Sequence, residues 1–187
     1  MKWEVQAHKQ NLVGEICRTL KLPEVIARIL VNREVNSVAE AQMFLYGDLK
    51  MLHSPELLSG VDLAVERIKK AVAGNEKIII FGDYDVDGIT SIALLYNFFL
   101  QIGKRVDYYI PERQCMGYGL NIDSIKRLKQ TGYDLIITVD CGISNVEEVR
   151  FAEELGIDVI ITDHHEPLDV LPPAVAVLNP KRPDEKY

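Results

Sequence analysis

KIIIFGDYDVDGITS, residues 77–91, changes the grammar of this chain. Ile78-Ile79-Ile80-Phe81 is an unbroken apolar run, the pattern of a strand covered on both faces. A polar turn follows, Gly82-Asp83-Tyr84-Asp85-Val86-Asp87-Gly88, and then a helical stretch from Ile89 to Leu100. The same order repeats downstream. Strands are predicted at Val106–Ile110, Leu135–Val139, Val159–Ile161 and Val175–Leu178, with helices at Ile122–Lys129 and Asn145–Leu155 between them. Short apolar strands alternating with amphipathic helices predict an α/β fold, a parallel β-sheet flanked by helices. In such sheets ligands gather beyond the carboxyl ends of the strands.

Upstream the pattern is helical. Val25, Ile26, Ile29 and Leu30 recur at helical spacing after Pro23, and Ser37 stands as an N-cap before Val38, Ala39 and Glu40. A further helix, Val61 to Ala73, ends at Gly74. The expected division is a short helical amino-terminal segment, residues 1–60, and an α/β domain, residues 61–187.

The chain has 187 residues, enough for one sizeable core, and its 48% hydrophobic and 26% charged residues are those of a soluble globular protein. No apolar run is long enough to span a membrane, and MKWEVQAHKQ has no basic-then-apolar leader, so a cytoplasmic location is expected. Cys17, Cys115 and Cys141 form no CxxC pair and read as reduced thiols. The net charge of −7 weighs against a polyanionic partner. Carboxylates collected to hold divalent cations would carry that charge for another reason.

Three predicted strands end in metal-capable groups: Asp83, Asp85 and Asp87 after the first, Asp140 after Val139, and Asp163-His164-His165 after Thr162. Each has a plain alternative. The first cluster could be a solvated turn; a calcium loop is a poor fit, because Leu94 stands where that loop needs its closing Glu. Asp140 alone could be a helix cap, and the two histidines a surface pair. Together on one sheet edge they form an oxygen-and-imidazole set suited to Mn²⁺ or Mg²⁺. Two such ions can activate water and stabilise both oxygens of a phosphoryl displacement.

These residues carry a resemblance. Asp163-His164-His165 is the motif of the DHH phosphoesterase family, and GDYDVDGITS (residues 82–91) is similar to its first motif. LPEVIARILVNREVNSVAEAQMFL, LHSPELLSGVDLAVERIKKA, PERQCMGYGL, ITVDCGIS and ITDHHEPLDVLPPAVAVLNP resemble, in order, the branch of that family that degrades single-stranded DNA. The resemblance covers essentially the whole chain. It implies a 5′-to-3′ exonuclease acting on single-stranded DNA in recombination and repair, with two Mn²⁺ or Mg²⁺ ions.

Carried over by position, Asp85, Asp87, Asp140, His164 and His165 are the expected catalytic metal ligands, with Asp140 bridging. Asp83 is expected as a ligand or as a support behind one, His165 as a ligand or a phosphate contact, and Asp163 as the group that orients an imidazole. Arg113 is a candidate phosphate contact and Tyr118 a candidate base-stacking residue, each with an alternative as an ordinary surface Arg or a packing aromatic. Cys141 reads as a small buried filler. The family continues to another metal-binding aspartate and a second domain, so the chain is expected to be a fragment with an incomplete metal site. Two other readings stand beside the exonuclease: a DHH phosphodiesterase or phosphatase on short oligonucleotides or cyclic dinucleotides, and a non-catalytic scaffold module in replication. A Rossmann-like nucleotide binder is disfavoured because no GxGxxG follows the first strand.

Overall fold

The structure, a computed structural model, describes residues 9–111 and 119–185. The chain divides into two compact units, Met1–Leu52 and His53–Tyr187.

In the first unit, helices α1 (Gln10–Leu20), α2 (Glu24–Asn32) and α3 (Val38–Tyr46) bury Val13, Ile16, Ala27, Leu30 and Ala41 against one another. Ser37 caps α3 as expected, accepting the Glu40 N–H at 3.1 Å, while Glu40 reaches back to the Asn36 N–H at 2.8 Å. Helix α1 has no such signature. Lys9 holds its N-cap position without a side-chain capping bond, so only tertiary packing of its apolar stripe declares it.

The second unit begins before residue 60, the expected boundary. The Ser59 N–H donates to Glu185 Oε2 at 3.0 Å, which fastens this stretch to the far end of the α/β unit. Helix α4 (Val61–Ala73) leads into β1 (Ile78–Gly82), α5 (Val86–Gln101), β2 (Asp107–Tyr109), α6 (Ile122–Gln130) and β3 (Leu135–Val139). Helix α7 (Val146–Glu154), β4 (Asp158–Thr162) and β5 (Ala176–Leu178) complete it. Among the described residues the strands form one sheet in the order β2-β1-β3-β4-β5, and every pair is parallel.

Strand pleating sends alternate side chains to opposite faces. Ile78, Ile80, Leu135, Ile137 and Ile160 pack with Ala64 and Ala71 of α4 and with Ile92 and Phe99 of α5. Ile79, Phe81, Ile136, Val159 and Ile161 pack with Ile125 and Leu128 of α6 and with Val149 and Ala152 of α7. Both faces are therefore dry, which is why the strands read as continuous apolar runs.

Register then sets the site. Gly82 lies opposite Val139, Val139 opposite Thr162, and Thr162 opposite Leu178. The residues that follow, Asp83, Asp140, Asp163 and Asn179, leave the sheet side by side along one edge.

Ile137, in the middle of β3, is 1% exposed, whereas Leu94 on α5 is 73% exposed. Ile137→Ala should cost about 2–5 kcal/mol in urea unfolding, the usual loss for a buried methyl-rich side chain. Leu94→Ala should stay within about 0.5 kcal/mol of the unaltered chain. Equal losses would contradict this placement of the core.

Candidate metal centre

The turn after β1 is built to hold carboxylates. Asp85 sits at the N-cap of α5, and its Oδ1 accepts the N–H groups of Asp87 at 2.9 Å and Gly88 at 3.0 Å. These amide donors, Gly88 first, favour the charged form, so the Asp85 carboxyl lies below its ordinary range. Gly88 is required for close approach: a Cβ there would stand 2.4 Å from the Asp83 carbonyl oxygen. Asp83 is buried beneath this turn, and its Oδ1 has no hydrogen-bond partner among the described residues.

Asp140 follows β3 with a left-handed backbone, φ +59°. Its N–H donates to the Thr162 carbonyl at 3.0 Å, which ties the turn to β4. Its carboxyl is pushed upward, first by burial and then by the charge on Asp85. His164 Nε2 lies 2.9 Å from Asp140 Oδ1.

Asp163 organises the histidines. Its Oδ1 accepts the N–H groups of His164 at 2.7 Å and His165 at 3.1 Å, and lies 2.7 Å from His165 Nδ1. Its Oδ2 accepts the Ile143 N–H at 3.0 Å, in the turn that carries Asp140. The bond to Asp163 raises the His165 pKa above the ordinary histidine value. With Nδ1 engaged, Nε2 is the nitrogen that a cation would take.

Two groups of ligand atoms result. In one, Asp83, Asp85 and Asp140 offer carboxylate oxygens that all lie within 4.8 Å of one another; in the other, Asp140, His164 and His165 meet the same limit. Asp140 belongs to both. The residues fit a pair of hard divalent cations: the donors are oxygen and imidazole, and the buried Asp83 oxygen has no described partner that would offset its desolvation. An open cleft of about 370 Å³ adjoins them, lined by Asp87, Thr90, Ser91, Asp140, Thr162, Asp163 and His164.

Asp83, Asp85, Asp140, His164 and His165 are thus brought together. Asp87 stands in the first turn of α5 and lines the same cleft as Asp140 and His164, while its carboxylate is in neither of these two groups. Arg113 and Tyr118 lie outside the described residues. Cys141 is wholly buried, with its thiol pKa pushed up first by burial, as suits an inert filler.

Asn179 was not anticipated. It is 0% exposed; its Nδ2 donates to the His165 carbonyl at 2.9 Å, and its Oδ1 accepts the Lys181 N–H at 2.8 Å. Its position directly after β5, level with the three aspartates, was the available signal.

The family model described as "DHH family, N-terminal domain" matches residues 77–186, and the chain belongs to the DHH family. Within it the similarity is to RecJ. The chain is 41% identical over 187 residues to the single-stranded-DNA-specific exonuclease RecJ of Bacillus subtilis (strain 168), covering 100% of this chain and 24% of that protein. To RecJ of Escherichia coli (strain K12) it is 37% identical over 185 residues, covering 98% of this chain and 31% of that one. The crystal structure of exonuclease RecJ bound to manganese superposes with a TM-score of 0.64 at 35% identity, over 70% of this chain and 33% of that one. RecJ from Thermus thermophilus in complex with Mn²⁺ gives a TM-score of 0.65 at 28% identity, over 96% and 25%. The chain spans about a quarter to a third of the length of these relatives.

Asp163→Asn should keep the fold but place an amide among the N–H groups of Ile143, His164 and His165, which need acceptors, releasing the His165 ring. Mn²⁺ affinity measured by calorimetry should fall about 10–100-fold; unchanged affinity would refute the orienting role.

Acidity should act in a defined direction. A raised His165 pKa stabilises the metal-free fold below the unfolded value of about 6.5, and that contribution disappears as pH rises through the higher folded value. Cation binding requires the neutral ring and runs the opposite way. Mn²⁺ affinity should therefore keep rising beyond pH ~6.5 and flatten only above the shifted His165 value.

Proposed function

We propose that this chain carries the catalytic metal centre of a 5′-to-3′ exonuclease that hydrolyses single-stranded DNA in recombination and repair, in the cytoplasm. The second unit carries the chemistry, and the first is a separate helical unit. The observation that supports this reading above others is the membership of Asp140 in both ligand groups. A shared carboxylate is what a pair of cations acting on one phosphodiester needs. The names of the RecJ relatives, single-stranded-DNA-specific exonucleases, and their structures with Mn²⁺ support the substrate class and the metal.

In this reading Asp83, Asp85 and Asp140 hold one Mn²⁺ or Mg²⁺, and Asp140, His164 and His165 hold the other. Bound there, the cations would supply a water of lowered pKa and offset the charge that builds on the phosphate. The protein's own groups fix the arrangement beforehand. The α5 amides keep Asp85 ionised, Asp163 orients His165, and Asn179 holds the His165 carbonyl. Asp87, Thr90 and Ser91 form the cleft wall at the start of α5, where backbone N–H groups face an anion favourably. Arg113 and Tyr118 are assigned to substrate, the first by its planar fork for phosphate and the second by stacking on a base.

The test is a 5′-labelled single-stranded oligonucleotide incubated with the chain and Mn²⁺. Mononucleotides should appear in sequence from the labelled end, and a chelator should abolish their release. Asp140→Asn should lower the rate about a thousandfold or more, the scale on which removing a charge-stabilising group acts. Preferential cleavage of dinucleotides would favour the short-oligonucleotide phosphodiesterase instead. Absence of both Mn²⁺ binding and cleavage would sink the proposal.

A further inference from the structure

A chain of phosphates brought to an acidic edge needs cations beyond those at the bond that breaks. The segments that follow β1, β3 and β4, residues 83–91, 140–145 and 163–175, contain no Lys or Arg. The segment that follows β5 has two, Lys181 and Arg182. Arg182 is turned back on its own stretch of chain. Its Nη1 donates to the Val177 carbonyl at 2.7 Å, and its Nε and Nη2 donate to the Asp184 carboxylate at 3.0 and 2.6 Å.

Lys181 reaches the histidine loop instead. Its Nζ lies 2.9 Å from Glu166 Oε1, and Glu166 directly follows His165. Its charge acts on the His165 ring, where it opposes the rise in pKa that Asp163 produces.

The position is built into the backbone. The Arg182 N–H donates to the Asn179 carbonyl at 3.3 Å, closing a four-residue turn with Pro180 in its second place. Asn179 Oδ1 accepts the Lys181 N–H at 2.8 Å, the local bond that Asn favours in such turns. The same side chain donates through Nδ2 to the His165 carbonyl at 2.9 Å. One buried amide therefore fixes the backbone of Lys181 against the backbone of His165.

Glu166 is a weak competitor for this ammonium. The two side chains are 47% and 79% exposed, and an ion pair so open to water is screened and contributes little. A phosphate offers the three N–H donors of a lysine several charged acceptors at once. We propose that Lys181 is a substrate-binding residue: its ammonium leaves Glu166 for a backbone phosphate of the single strand, next to the phosphate at the metal pair. The inference rests on the nuclease reading above. It adds a protein cation on the β5 side of an edge that otherwise gathers carboxylates.

The test measures binding of a labelled single-stranded oligonucleotide with phosphorothioate linkages, which resist cleavage, by fluorescence anisotropy with Mn²⁺ present over a range of salt. Lys181→Gln should raise Kd about tenfold, the loss of one charge-assisted hydrogen bond. The slope of log Kd against log salt should become shallower by about 0.7, the share of one phosphate contact on a single strand. Lys181→Arg keeps the charge and should recover most of the affinity and of the slope. Glu166→Gln removes the competitor and should bind at least as tightly as the unaltered chain. Mn²⁺ affinity of Lys181→Gln, measured by calorimetry, should stay within about twofold, because an exposed charge is screened.

If Lys181 served only to hold the Glu166 loop, Glu166→Gln and Lys181→Gln would weaken binding alike. That result overturns the inference, as does an unchanged salt slope in Lys181→Gln. A fall in Mn²⁺ affinity that matches the loss of oligonucleotide affinity overturns it too, because the damage would then lie at the metal centre. So does an unaltered chain that leaves the oligonucleotide unbound. Cleavage of an unmodified 5′-labelled strand separates the two claims. A chain that binds the strand through Lys181 without cleaving it refutes the nuclease reading, whereas one that cleaves it, with Lys181→Gln equal in Kd and slope, refutes the lysine contact alone.

Discussion

The level register of four parallel strands is the constraint from which the rest follows. Because Gly82, Val139, Thr162 and Leu178 are aligned, the next residue of each strand arrives at the same edge. Three of those four residues are aspartates, and all three are buried. A shift of one residue in any pairing would turn a carboxylate from the edge into the apolar layer beneath a helix, where its desolvation would not be offset. The dry faces on either side of the sheet hold that register, so packing far from the cleft and chemistry within it are the same structural fact.

Crowded carboxylates oppose this arrangement, and the two sides of the edge answer differently. Asp85 is kept ionised by amide donors at the start of α5, while Asp140, more enclosed and facing Asp85, is pushed towards its neutral form. Neighbouring acids driven apart in this way repel each other less in the metal-free protein than two full charges would. Divalent cations remove the conflict altogether, because both oxygens can then be charged and satisfied. The same reasoning accommodates the net charge of −7 in a chain whose relatives act on DNA.

Much of this was legible in the sequence, for reasons that differ by residue. Buried parallel strands must be continuously apolar, so β1, β3 and β4 announce themselves, and the polar residue that ends each run marks the edge. Asp83, Asp85, Asp140, His164 and His165 were visible on that ground. Asp87 shares the spacing of Asp85, and the start of α5 at Val86 puts it in the helix's first turn, on the cleft that Asp140 and His164 also line. Asn179 was not visible as a support, because its work depends on a partner 14 residues distant. Asn is equally at home in caps and turns, and composition does not say which backbone it will meet. Helix α1 escaped for want of a cap, and the unit boundary because Ser59 is secured by Glu185 at the other end of the chain.

Asp163 explains why the site can exist before a cation arrives. One buried carboxylate receives N–H groups from Ile143, His164 and His165 as well as a ring nitrogen, and its own N–H donates to the Leu178 carbonyl of β5. The turn after β3, the loop after β4 and the edge strand are thereby joined through a single residue. That network stabilises the left-handed backbone at Asp140, a conformation that costs a non-glycine residue about 1–3 kcal/mol. Folding therefore bears the cost of orienting the ligands, and cation binding need not repeat it. A centre assembled this way would gain affinity from rigidity more than from additional donors, and Asp163 and Asn179, in neither ligand group, would contribute through the backbone and ring they hold.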